Sequence, residues 1–210
     1  MRPLQHLALA SASPRRRELL ISLGLRVAVV ASSYEESPLR GHGPRELAIA
    51  HARGKAAGAP GAPTLIVAAD TVVDLDGTAL GKPRDLDESR WMIEQLSGRD
   101  HRVHTAFTLR DDRSDRTLTE CQTTRVRFVP LSSDVIEAYV ASGDGLDKAG
   151  AYGIQGFGAT LVERIEGDYF TVVGFPLAAF ARSLPLIDYR LCPPDVSGRT
   201  SDVHSPEVPA

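Results

Sequence analysis

Cysteine is scarce in this chain. Cys121 and Cys192 are the only two in 210 residues. They stand far apart without metal-ligand spacing, which excludes a disulfide framework and a cysteine zinc site and suits a reducing cytoplasm. A core of this size needs neither staple. Long apolar runs are also missing: none approaches the roughly 20 residues that cross a bilayer, so no membrane partner is expected. The apolar stretch 7–12 is too short for a signal sequence. Its basic cluster follows it instead of preceding it, and it reads as a buried strand. No excess of one charge exists either. The 24 Lys and Arg against 27 Asp and Glu leave a net charge of −3, which argues against general nucleic-acid affinity and confines phosphate binding to local clusters. No dinucleotide fingerprint leads from a strand into a helix, and no internal repeat is present.

What remains is ordinary globular composition, 42% hydrophobic and 24% charged, in strands interleaved with helices. The spacing predicts strands over 4–10, 26–30, 64–73, 103–109, 117–129, 160–165 and 169–173. It predicts helices over 14–23, 45–57, 87–96, 132–141 and 176–184. The run 64–73 is nearly all apolar, as a strand covered on both faces should be. Asp76-Gly77 signals a hairpin turn. Segment 32–44 is a loop, and 143–158 is a long glycine-dense one. The expected architecture is α/β with a mixed sheet, in one domain over 1–184, followed by a tail over 185–210 that is disordered from about Pro193.

Candidate chemistry begins at Ser11-Ala12-Ser13-Pro14-Arg15-Arg16-Arg17. Ser13 suits a helix N-cap and Pro14 the first helical position. Three arginines then follow where a helix start disfavours each cation by about 0.3–1 kcal/mol. A capping box would put Glu or Gln where Arg16 stands. An anion seated there accounts for the arginines, because backbone N–H groups, serine hydroxyls and guanidinium forks together form a phosphate site. The plainer alternative is a solvated basic helix face.

Asp70 closes the apolar run 65–69 at the carboxyl end of a strand, where open α/β sheets bind ligands. A base, a metal ligand or a helix cap could stand there, and the strand-like Thr71-Val72-Val73 weakens the cap. Lys82 sits in a Gly81–Pro83 turn. Lys55 ends a helix whose dipole welcomes any cation, so each is weak alone. In the loop 147–158 the glycines admit close backbone approach, and Tyr152, Gln155 and Phe157 could read a flat ring. A rival motif, Asp74-Leu75-Asp76-Gly77-Thr78, has the form of an aspartyl-phosphate phosphatase with Asp74 as nucleophile, although the hairpin turn explains Asp76-Gly77 equally.

Ser11-Ala12-Ser13-Pro14-Arg15-Arg16, Ala69-Asp70-Thr71-Val72, Gly81-Lys82-Pro83-Arg84 and the segment from Asp147 to Gly156, taken together and in this order, resemble the Maf family of nucleoside triphosphate pyrophosphatases over about residues 7–184. The resemblance implies a mixed central sheet flanked by helices, in two lobes around a deep cleft, as in inosine-triphosphatase-like proteins. It implies hydrolysis of a nucleoside triphosphate to the monophosphate and pyrophosphate with a divalent cation, Mg²⁺ or Mn²⁺. Asp70 would be the proton acceptor for water. Ser11, Arg15, Arg16, Lys55 and Lys82 would hold the triphosphate, and Glu36 would join Asp70 at the metal. Arg15, Thr71 and Gln155 resemble the dTTP/UTP branch, and Gln155 can both donate to and accept from a pyrimidine edge. Ala69 replaces a glycine common in the family. A cytoplasmic homodimer is also implied. The competing expectation is a nucleotide-binding regulator of cell division without catalysis.

Overall fold

The computed structural model describes residues 1–36 and 41–192. Part of the loop expected over 32–44 and the disorder expected from Pro193 lie outside the described residues. In chain order the elements are β1 (Arg2–Leu4), β2 (His6–Ala10), α1 (Pro14–Ser22), β3 (Arg26–Val29), α2 (Pro44–Ala57), β4 (Leu65–Leu75), β5 (Thr78–Leu80), α3 (Leu86–Leu96), β6 (Asp100–Asp111), β7 (Arg116–Phe128), α4 (Ser133–Ala141), β8 (Val162–Glu166), α5 (Tyr169–Val173), α6 (Leu177–Ser183) and β9 (Tyr189–Leu191). Short 3₁₀ turns occupy Ala149–Ala151, Gly156–Leu161 and Leu184–Ile187.

The main sheet runs β3-β2-β4-β6-β7-β8, with β5 also on β4. β2 is parallel to β3 and β4, and the other pairings are antiparallel. The sheet is therefore mixed, with helices on both faces. Strand alternation sorts the side chains of β4. Leu65, Val67 and Ala69 join Phe107, Phe175, Phe180 and Leu20 in one core. From the opposite face, Ile66 and Ala68 pack with Ala56, and Val72 packs with Ala48 and Ala52 of α2. Farther along, Val73 and Leu75 enter a second core with Met92, Ile93, Phe128 and Tyr139.

The long strand β4 has a gap on one edge. β2 pairs with it as far as Ala10↔Ala68, and β5 takes up the same edge only at Val73↔Leu80. β6 meanwhile pairs the other edge throughout, from Ile66↔Arg110 to Asp74↔Arg102. Over 69–72 that edge carries no described strand.

Two expectations need correction. The strand expected over 169–173 is the helix α5. Asp168 caps it, its carboxylate accepting from Thr171 N at 2.8 Å and from Thr171 Oγ1 at 2.9 Å. This side-chain cap overrides the strand preference of the β-branched residues. The strand expected over 4–10 is divided: β1 leaves the main sheet and pairs in parallel with β9, Arg2↔Tyr189. The chain past Leu184 therefore continues into ordered structure. Ile187 and Tyr189 are buried, and Asp111, fully buried, bonds Arg2, Ser114 and Tyr189. Among the described residues no helix is long and apolar enough to cross a membrane.

Candidate active site

The gap in β4 opens into a cleft of about 1340 Å³. Ser11, Arg15, Arg16, Glu36, Lys55, Asp70, Thr71, Lys82 and Gln155 all line it. Arg84 and Lys148 line it too, so six cations face three carboxylates, Glu36, Asp70 and Asp147. A chain of net charge −3 thus concentrates positive charge in one place, which is the local cluster that phosphate binding requires.

Asp70 is the buried centre of this wall, 7% exposed. Its Oδ1 accepts from Lys55 Nζ at 2.6 Å, and Glu36 Oε1 meets the same ammonium at 2.6 Å. Burial pushes the Glu36 carboxyl up, but Lys55, with His51 and Lys82 behind it, outweighs burial and holds it below the ordinary carboxylate range.

The approach of Glu36 to Lys55 is prepared by glycine. The segment before Glu36 lies on the C-terminal half of α2. Ser32 Oγ donates to Lys55 O at 2.9 Å, and Ser33 N donates to Gly58 O at 3.0 Å. Tyr34 OH meets His51 Nδ1 at 2.9 Å, one helical turn before Lys55. The Tyr34 ring fills the notch at Gly54, where a Cβ would stand only 2.2 Å from it.

On the other wall, Ser13 caps α1 as expected, its Oγ accepting from Arg16 N at 3.5 Å. The arginines then diverge. Arg15 Nη1 donates to Asp147 Oδ2 at 2.9 Å, and Lys148 Nζ donates to Asp147 Oδ1 at 2.7 Å. Burial works to raise the Asp147 carboxyl, and these two cations more than reverse it. Arg16 turns inward and is buried. Burial pulls its pKa down against the charge of Asp70. Arg17 is exposed on the helix surface.

Lys82 rides on the turn after β5. That turn is fastened by Gly150 N donating to Gly81 O at 2.9 Å. Gly150 has φ +68°, and a Cβ there would stand 2.8 Å from Val73, so only glycine closes this corner. Beyond it, Gln155 is exposed and Tyr152 is buried, with Tyr152 OH 2.7 Å from His101 Nε2. Phe157 is not part of the lining; it packs on Tyr139 with ring centroids 5.8 Å apart.

The rival phosphatase aspartates lie outside the cleft. Asp74 Oδ1 accepts from Gly77 N at 2.7 Å to close the β4–β5 turn, and Asp74 Oδ2 meets His104 Nε2 at 3.2 Å. Asp76 pairs with Arg99.

Among the described residues no group of three His, Cys, Asp or Glu side chains could hold a metal by itself. Glu36 and Asp70 nevertheless already converge on one cation position. Two carboxylates fit Mg²⁺ or Mn²⁺ when substrate phosphate and water complete the coordination.

Sequence reasoning missed Tyr34 and His51, and it left Asp147 without a role. Gly54 inside α2 and Gly58 at its C-cap, four residues apart, were the available signal for a segment lying against that helix.

Fold and site together define a mixed α/β protein with a cationic cleft, built at a break in one edge of its sheet around a single buried aspartate. Residues 6–186 match the Maf family, described as Maf-like protein. A dTTP/UTP pyrophosphatase of Thermus thermophilus is 52% identical over 174 residues, 82% of this chain and 89% of that one. A dTTP/UTP pyrophosphatase of Pyrococcus furiosus is 44% identical over 185 residues, 87% of this chain and 96% of that one. A solved HAM1 protein from Coxiella burnetii overlaps 76% of this chain and 81% of its own with a TM-score of 0.44 and 17% identity, too loosely to carry an argument. On the family match and these identities, the chain belongs to the Maf family.

Proposed function

We propose that this protein hydrolyses nucleoside triphosphates, dTTP and UTP foremost and modified pyrimidine nucleotides with them, to the monophosphate and pyrophosphate. The observation that carries the reading is the position of Asp70: one buried carboxylate faces the cleft, ringed by Arg15, Arg16, Lys55, Lys82, Arg84 and Lys148. A triphosphate brings about four negative charges, and hydrolysis at the α-phosphorus is mainly positioning and charge neutralisation. Arg15 approaches it from the start of α1 and Lys82 from the turn after β5, and Ser11 adds a hydroxyl beside the start of α1. Asp70 accepts the proton of the attacking water. Lys55 keeps Asp70 and Glu36 together until substrate arrives. A divalent cation held by Glu36 and Asp70 would neutralise phosphate charge and polarise the bond to be broken. Gln155, on the loop beyond Tyr152, reads the pyrimidine edge, and the two relatives' names support that preference. The family resemblance supports a cytoplasmic homodimer, which sedimentation tests.

The deciding experiment incubates the protein with dTTP or UTP and Mg²⁺ or Mn²⁺ and identifies the products. Monophosphate plus pyrophosphate is expected, and diphosphate plus orthophosphate sinks the reading. Asp70→Asn should lose most turnover while retaining nucleotide binding. A fully active Asp70→Asn refutes the catalytic assignment.

A further inference from the structure

The hydrogen bonds of Arg16 leave little of it for a substrate. Nε donates to Gly174 O at 2.9 Å, Nη1 to Ser11 Oγ at 2.9 Å and to Ala69 O at 2.8 Å, and Nη2 to Thr71 Oγ1 at 3.0 Å. A guanidinium has five N–H groups, and four are committed within the protein. The Ala69 carbonyl lies one residue past the end of the β2 ladder, so Arg16 supplies a donor where the neighbouring strand has stopped.

The bonds that follow run in one direction only. Thr105 Oγ1 donates to Thr171 O at 2.7 Å. A hydroxyl has one proton, so in the 2.9 Å bond between Thr71 Oγ1 and Thr105 Oγ1 the donor is Thr71. The sequence is therefore Arg16 N–H to Thr71 O–H to Thr105 O–H to the Thr171 carbonyl of α5. The only proton of the Thr71 hydroxyl points into the sheet, and Thr71 has none to offer a ligand.

We infer that Arg16 and Thr71 are positioning residues: with Thr105 they form a hydrogen-bonded spine that clamps β4 at Ala69 and Thr71, on either side of Asp70, and they act on the reaction through Asp70 and not by holding the triphosphate. The inference rests on the pyrophosphatase reading for its kinetic consequence. Alternation along the strand turns Asp70 to the α2 face and Thr71 to the α1 and α5 face. The clamp therefore holds the strand from the face opposite the Asp70 side chain. A displacement of about 1 Å at a catalytic group can cost about a hundredfold in rate, so a spine of this kind has a kinetic effect without contact. Charge alone does not build it. A lysine at 16 keeps the cation and loses the fork.

Thr105 provides the test, because it is fully buried and lies on β6 behind Thr71, outside the cleft lining. Steady-state pyrophosphate release from dTTP is measured alongside calorimetric affinity for the non-hydrolysable α,β-imido analogue of dUTP and amide hydrogen exchange over 69–72. Thr105→Val should lower kcat about tenfold with KM and analogue affinity within about twofold, and Thr105→Ser should recover most of the rate. Arg16→Lys should lower kcat about a hundredfold while analogue affinity changes less than about threefold. Exchange over 69–72 should quicken in Thr105→Val and Arg16→Lys. A loss of analogue affinity in step with kcat in Arg16→Lys makes Arg16 a phosphate ligand and overturns the inference. Unchanged kcat and exchange in Thr105→Val overturn it as well. If the unaltered protein releases no pyrophosphate, the hydrolase reading fails separately, and exchange over 69–72 alone decides whether the clamp exists.

Discussion

Lys55 reaches from the last turn of α2 to bond the Asp70 carboxylate at 2.6 Å. The two residues meet because alternation turns Asp70 toward the α2 face, with Ile66 and Ala68, whose core includes Ala56 beside Lys55. The same ammonium accounts for the low pKa of Glu36. Replacing Lys55 by Met keeps the apolar stem and leaves two carboxylates facing each other. We expect kcat/KM for dTTP to fall by about 10²–10³. The Glu36 carboxyl, followed by carbon-detected NMR, should titrate at higher pH in the variant. In the unaltered protein a carboxyl with a depressed folded pKa stabilises above its unfolded value, and that contribution fades as pH falls through the folded value. Lys55→Met should lose this part of the acid sensitivity.

Gly54→Ala separates stability from activity. Alanine in the middle of a helix is favoured over glycine by about 1 kcal/mol, so α2 itself should be at least as stable. The new Cβ displaces the Tyr34 ring and draws Glu36 away from Lys55. We expect thermal melting to change little and pyrophosphate release to fall about tenfold or more.

His101 predicts a pH dependence of folding. Its ring is buried between Phe128 and Tyr152, and burial lowers its pKa from 6.5 to about 4. Between these values the unfolded chain binds the proton and the folded chain does not, so stability falls as pH drops through that window. The full effect is up to about 3 kcal/mol. Urea unfolding at several pH values should show it. His101→Gln should be less stable at pH 7 and should show a shallower loss across the same window.

Ending the chain after Leu184 removes Ile187, Tyr189 and the strand that pairs with β1. It also leaves the buried Asp111 with one partner fewer. We expect a melting temperature lower by several degrees, on the order of 1–3 kcal/mol of stability for the buried side chains lost. Ending the chain after Cys192 keeps both residues, and the comparison of the two melts checks this.

The arginines at the start of α1 and the carboxylate at the end of an apolar run were legible because each broke a local rule: cations at a positive helix end, and an acid where the core pattern continued. Those breaks pointed to the cleft, and the expected lining residues meet there. Arg15 and Arg16 look equivalent in the sequence, yet one faces Asp147 at the rim and the other is buried under β4. That difference depends on where β2 stops, which no local pattern encodes. The helix over Tyr169–Val173 departs from its local pattern for a related reason. Its residues favour a strand, and its cap, Asp168, also touches β7, its backbone carbonyl accepting from Thr124.

The three long strands β4, β6 and β7 run unbroken past the cleft, paired from Ile66↔Arg110 to Asp74↔Arg102 and from Asp100↔Arg127 to Asp111↔Arg116. They form one continuous plate beneath both the α2 side and the second core. That ladder ties the two ends of the plate together, whereas the parts at the cleft rim stand outside it. The Ser32-to-Glu36 strap and the loop carrying Asp147 and Gln155 are such parts. An adjustment around a substrate therefore costs least at these rim parts, which can shift without parting strand from strand.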